Sequence, residues 1–122
     1  MKTLHFPLKK EWYNMIESGV KPEEYRLLSY YWIPVLLEKA DGKRITRKEA
    51  LEYAFRPKAI VQMIISGKWR ARKYDYVKFS YGYTSKTMTF TYSDLAIAIG
   101  EPAWGAPDHE TFIIKFGKRI FD

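Results

Sequence analysis

The chain contains no cysteine, which removes disulfides, thiolate nucleophiles and Cys-ligated zinc or iron–sulfur clusters together. A reducing, cytoplasmic setting is the expectation. Histidine is almost as scarce. His5 and His109 stand far apart and neither has a carboxylate at metal-ligand spacing, so neither a metal nor another cofactor is expected. His5 reads as a structural histidine in a strand, His109 as part of a polar loop. No run of about 18 apolar residues occurs, and MKTLHFPLKKEW lacks the apolar stretch of a signal peptide, so no membrane association is expected. The G-x-S-x-G, Walker and G-x-G-x-x-G patterns are missing as well, which leaves serine-triad acyl transfer and P-loop nucleotide binding without support.

What the chain does have is aromatic bulk and positive charge. Its 122 residues suit a single domain, 1–122, because two cores would each be too small. Hydrophobic residues make up 47% and aromatics 17%, enough for a real core and suggestive of a sheet-rich body. Lys and Arg total 21 against 14 Asp and Glu, a formal net charge of +7. That excess favours a polyanionic partner, nucleic acid first, although solubility alone would account for it equally well.

Punctuation along the chain predicts the elements. Residues 3–6 read as a strand before Pro7. Leu8, Trp12, Met15 and Ile16 then recur at helical spacing, and Gly19 is placed to cap that helix. Pro22 disfavours helix at Lys21, so 22-PEEYRLL-28 is expected to be extended, with Glu24 and Arg26 on one face and Tyr25 on the other. Lys21 would join the pair only if the turn bends. A second helix is expected over 29–40, a third from the capping box Thr46/Glu49, and a fourth over 58–67, where β-branched residues also permit a strand. Alternation over 76–81 and 87–92 around the turn 81-YGYTSK-86 predicts a hairpin. An apolar run at 95–99, a Pro/Gly loop at 101–109 and a closing strand at 111–120 complete the chain. The order points to α+β with a small barrel or strongly curved sheet.

The densest chemistry lies in 18-SGVKPEEYR-26. Gly19, Lys21, Glu24 and Arg26 satisfy G-x-K-x-x-E-x-R after a strand and a helix, a pattern that resembles the signature of the ASCH (activating signal cointegrator homology) domain. The later 100-GEPAWGAP-107 and 112-FIIKFGKRI-120 are similar to the tail of small bacterial and phage members. Residues 1–40 and 74–122 carry the likeness, and a helical stretch at about 41–73 looks like an insertion. The resemblance implies a PUA-like small β-barrel with N-terminal helices packed on it. It also implies a cleft for RNA or a modified nucleotide lined by Lys21, Glu24 and Arg26. A lysine offers phosphate a mobile charge, an arginine a planar fork, and a glutamate between them suits positioning better than acid catalysis. Gly19 would let the backbone approach the ligand.

The family also includes deacylases of modified cytidine, which use a threonine near the lysine. Here Glu24 stands at that position and Pro22 and Glu23 carry no hydroxyl, so that activity is not expected. Other members cut RNA, and Lys21 with Glu24 would be the catalytic pair of a ribonuclease or modified-nucleoside hydrolase. Without the resemblance, the motif reads as a surface turn of solvent-screened ion pairs.

Two further features bear on nucleic acid. In 68-KWRARKY-74, Lys68, Arg70, Arg72 and Lys73 interleave with Trp69 and Tyr74, the composition of a phosphate-neutralising, base-stacking groove; a solvated basic loop with Trp69 turned inward reads equally well. The hairpin tip offers Tyr83, Thr84, Ser85 and Lys86, residues that turn chemistry also explains. Trp104 reads as a packing anchor. The expected function is RNA or nucleotide binding, with two rivals: an enzyme on the same cleft, or a protein-interaction domain using the inserted helices.

Overall fold

The computed structural model describes residues 2–120. Strand β1 (Thr3–Leu8) is followed by helix α1 (Lys10–Glu17), strand β2 (Glu23–Arg26), helix α2 (Trp32–Leu36) and strand β3 (Leu37–Lys39). Helices α3 (Arg47–Tyr53) and α4 (Pro57–Ile65) precede strands β4 (Trp69–Ala71), β5 (Tyr76–Tyr81), β6 (Thr87–Ala98) and β7 (Thr111–Ile120), with a short 3-10 turn at Pro102–Trp104. The five long strands form one sheet in the order β1-β5-β6-β7-β2, while β3 and β4 make a separate two-stranded ribbon. The architecture is α+β, with a curled half-barrel sheet.

Period-two patterning sets which face is covered. Leu4, Phe6 and Leu8 of β1 point inward, as do Val77 and Phe79 of β5, and the parallel register pairs Leu4 with Val77 and Phe6 with Phe79. Strand β1 runs through Pro7 rather than stopping before it, because as an edge strand it has one side with no ladder bond to lose. The expected short strand over 87–92 and the apolar run at 95–99 are one long strand, β6. Register shifts between Phe90 and Tyr92 and between Tyr92 and Asp94 bend it, and such bulges increase local twist enough to curl a sheet. Phe79 packs at the centre against Phe6, Phe90 and Phe116.

The helices differ from expectation mainly at 29–40. Helix α2 ends at Leu36, and Leu37 turns to extended backbone (φ −122°, ψ 159°) to pair with Ala71 in the ribbon. Ser29 does support the entry, its hydroxyl accepting the Trp32 N–H at 3.4 Å. The capping box forms as predicted: Thr46 accepts the Glu49 N–H while Glu49 accepts the Thr46 N–H. Helix α4 begins on Pro57, the residue whose fixed φ suits a first turn. The segment 41–73 contains α3, α4 and β4, and the β3–β4 ribbon brings its two ends together. Ala50 and Ile60 fix these helices to the main core, whereas Leu51, Phe55 and Ile65 remain exposed.

A candidate cleft at the edge of strand β2

Helix α1 ends in a tight turn. Gly19 adopts φ +84°, and the N–H groups of Val20 and Lys21 both donate to the Met15 carbonyl at 3.0 Å. A Cβ at Gly19 would meet nothing within 4 Å, so the glycine is there for its left-handed backbone and not for close approach of a ligand. The turn bends the chain so that Lys21 arrives at the rim of β2.

Antiparallel pairing with β7 places Glu24 opposite Ile114, Tyr25 opposite Ile113 and Arg26 opposite Phe112. Ile114 and Phe112 belong to the main core, whereas Ile113 packs with Tyr25 and Ala106 in a second, smaller cluster. The predicted alternation is therefore observed: Glu24 and Arg26 share one face and Tyr25 takes the other. Lys21, only 1% exposed, touches both. Its ammonium lies 3.2 Å from Glu24 Oε1, donates to the Trp104 carbonyl and sits 4.5 Å from the Tyr25 ring centroid. Burial pushes the Lys21 pKa below the usual lysine value, against the Glu24 carboxylate, which pulls it back up.

Every oxygen of Glu24 is engaged. Oε1 also accepts the Tyr25 N–H at 3.1 Å, and Oε2 accepts from Arg26 Nη2 at 2.8 Å. The Arg26 guanidinium lies 4.6 Å from the Phe6 ring and 5.1 Å from Trp32, so its plane is held by aromatic walls. Tyr25 donates its hydroxyl to Glu23 at 2.8 Å and accepts the Glu101 N–H at 3.2 Å. Those bonds clamp the 100–107 loop over β2. Burial raises the Tyr25 pKa, so the hydroxyl stays protonated and can act as a donor.

The cleft so formed has a volume of about 230 Å³ and is lined by Lys9, Trp12, Lys21, Glu24, Tyr25, Arg26, Trp104 and Gly105 with Pro7 and Leu8. The sequence brought Lys21, Glu24 and Arg26 to notice, and the structure gathers all three. Lys9, Trp12 and Gly105 were missed, and Trp104 is more than an anchor because its carbonyl holds Lys21. A Cβ on Gly105 would come within 3.1 Å of the Trp12 ring, which is how the WGAP loop and α1 meet at one wall. The one signal in the sequence was a tryptophan isolated in a Gly/Pro loop.

The remaining candidates lie elsewhere. Arg70 Nε is 2.8 Å and Arg72 Nη1 3.6 Å from the carboxylate of Glu38, and Arg72 Nε also donates to the Pro34 carbonyl. Trp69 is buried against Tyr53 and Tyr74 donates its hydroxyl to the Val35 carbonyl, so neither aromatic is turned outward beside the arginines. Lys68 and Lys73 are exposed. At the hairpin tip Tyr83 and Ser85 are exposed, and Lys86 lies 3.9 Å from Glu17 and over the Tyr13 and Tyr81 rings. None of these residues, nor Gly19, lines the cleft. His5 Nε2 lies 3.2 Å from Ser80 Oγ, a structural contact, and His109 Nδ1 is 3.1 Å from the Glu110 carbonyl. Among the described residues no group of acidic or imidazole side chains is arranged to hold a metal ion, and no helix is long and apolar enough to cross a membrane. No family model, curated protein or solved structure matches this chain.

Proposed function

We propose that the chain is an RNA- or nucleotide-binding domain of the ASCH type, built on a PUA-like barrel and acting in the cytoplasm, with the β2 cleft as its ligand site. The observation that carries this reading is the buried Lys21, held between Glu24 and the Trp104 carbonyl at the floor of a cleft. Withdrawing an ammonium from water is costly, and a fold that needed only packing would be served by an apolar side chain there. Lys9, Lys21 and Arg26 against Glu24 leave the cleft cationic, while Trp12, Tyr25 and Trp104 offer ring faces for a base. A volume of about 230 Å³ is below the ~300 Å³ at which pockets for drug-sized ligands begin, and suits a single base or nucleotide. Because both Glu24 oxygens already accept hydrogen bonds, the carboxylate serves to position the two cations; the reading is a binder rather than a ribonuclease or hydrolase.

A labelled short single-stranded RNA tests it. Binding is expected to weaken as salt rises, and Arg26→Ala is expected to weaken it about ten-fold. Affinity that is flat in salt and unchanged in the variant would remove the reading.

A further inference from the structure

A second hollow, of about 260 Å³, lies against the cleft and shares Tyr25, Arg26 and Gly105 with it; Leu27, Trp32, Pro107 and Thr111 complete its lining. Two polar atoms among its lining residues are buried and have no hydrogen-bond partner among the described residues: Arg26 Nε and Thr111 Oγ1. Thr111 is wholly withdrawn from solvent. A buried donor left unsatisfied costs about as much as a hydrogen bond is worth, or more when charged. Arg26 Nη2 is already given to Glu24, which leaves the Nε–H as the free edge of the fork. No carboxylate lines the second hollow, so nothing there competes with an incoming anion.

We infer that this second hollow is a phosphate subsite, in which one anionic oxygen of a nucleotide accepts from Arg26 Nε and Thr111 Oγ1 while its base occupies the neighbouring cleft. The inference rests on the nucleotide-binding reading above and narrows it: the ligand is a phosphorylated nucleotide or an RNA strand, not a free nucleoside. Arginine suits the position because its rigid fork serves two acceptors at once, Glu24 on one nitrogen and the phosphate on another. Glycine at 105 and proline at 107 keep side-chain bulk out of the boundary between the two spaces.

Competition against a labelled RNA hexamer tests the subsite, using the four ribonucleosides, their 3′- and 5′-monophosphates and inorganic phosphate as competitors. At least one monophosphate is expected to displace the hexamer about ten-fold better than its nucleoside, and Thr111→Val to abolish that advantage while leaving displacement by the nucleoside unchanged. Nucleosides and monophosphates that compete alike, or an advantage that survives in Thr111→Val, would overturn the subsite and leave the binding reading intact. A hexamer that does not bind at all would overturn both. Thr111→Val must also fold at least as stably as the parent chain, since it exchanges an unpartnered buried hydroxyl for a methyl of similar shape; a marked loss of stability would mean that the hydroxyl has a structural partner, and would overturn the proposal too.

Discussion

Lys21 and Glu24 form an ion pair at 3.2 Å in which the two side chains are 1% and 7% exposed. Such a pair differs from a surface bridge in what happens when one partner is lost, because the survivor keeps its desolvation cost without its counter-charge. The two partners are not equivalent here. Glu24 would keep Arg26 if Lys21 were removed, whereas loss of the carboxylate would leave the Lys21 and Arg26 cations beside each other with only the Trp104 carbonyl for Lys21.

Glu24→Gln is therefore expected to destabilise the fold more than Lys21→Met, by about 3 kcal/mol against a smaller loss. The double variant should recover part of the Glu24→Gln loss. Urea denaturation of the four proteins in a double-mutant cycle checks this. Additive losses would mean that the two groups do not sense each other.

Gly100 presses against the Tyr25 ring. A Cβ there would come to 2.8 Å of both Tyr25 Cδ1 and Ala106 Cβ. Gly100→Ala is expected to cost about 1–3 kcal/mol through overpacking and to lift the 100–107 loop from β2, loosening the hold of the Trp104 carbonyl on Lys21. A thermal melt alongside RNA titration reads both effects. An alanine accepted without loss of stability would contradict the close packing of loop and strand.

Tyr92 makes stability depend on alkaline pH. Burial, with Asp94 and Tyr74 nearby, pushes its pKa up to about 12, whereas an unfolded tyrosine titrates near ~10. The folded state thus keeps a proton that the unfolded chain has lost, and this contribution, whole below pH ~10, disappears as pH rises to about 12. Tyr25 and Tyr74 are shifted the same way. Lys21, with its lowered pKa, acts in the opposite sense: its contribution improves as pH rises through the folded value toward ~10.4. Tyr92→Phe is expected to flatten the alkaline fall in unfolding free energy. It should cost little at neutral pH, because the Tyr92 hydroxyl is buried and has no hydrogen-bond partner among the described residues. Identical slopes for the two proteins between pH 9 and 12 would contradict the shift.

The parts of this molecule legible in its sequence are those fixed by neighbours along the chain. The capping box at Thr46 and Glu49, the left-handed turn at Gly19 and the alternation of Glu24, Tyr25 and Arg26 all follow from local stereochemistry. The end of α2 at Leu36 did not, because its continuation is extended only through pairing with residues more than thirty positions away in β4. The β1–β5 parallel pairing joins segments on either side of the α3–α4 excursion, and no local pattern announces it. The cleft divides in the same way. Lys21, Glu24 and Arg26 are spaced by one turn and one strand, while Trp12 and Trp104 meet them only through tertiary packing. Arg70 and Arg72 kept their charge in the sequence but acquired Glu38 as a neighbour across the β3–β4 ribbon.

The most direct test of the β2 cleft as the ligand site is to titrate isotope-labelled protein with a short single-stranded RNA and follow amide and indole N–H signals by NMR. The account predicts that the largest shifts fall on Trp12, on Lys21 to Arg26 and on Trp104 and Gly105. Shifts confined to the β3–β4 ribbon around Arg70, or to the hairpin tip at Tyr83 to Lys86, would contradict it.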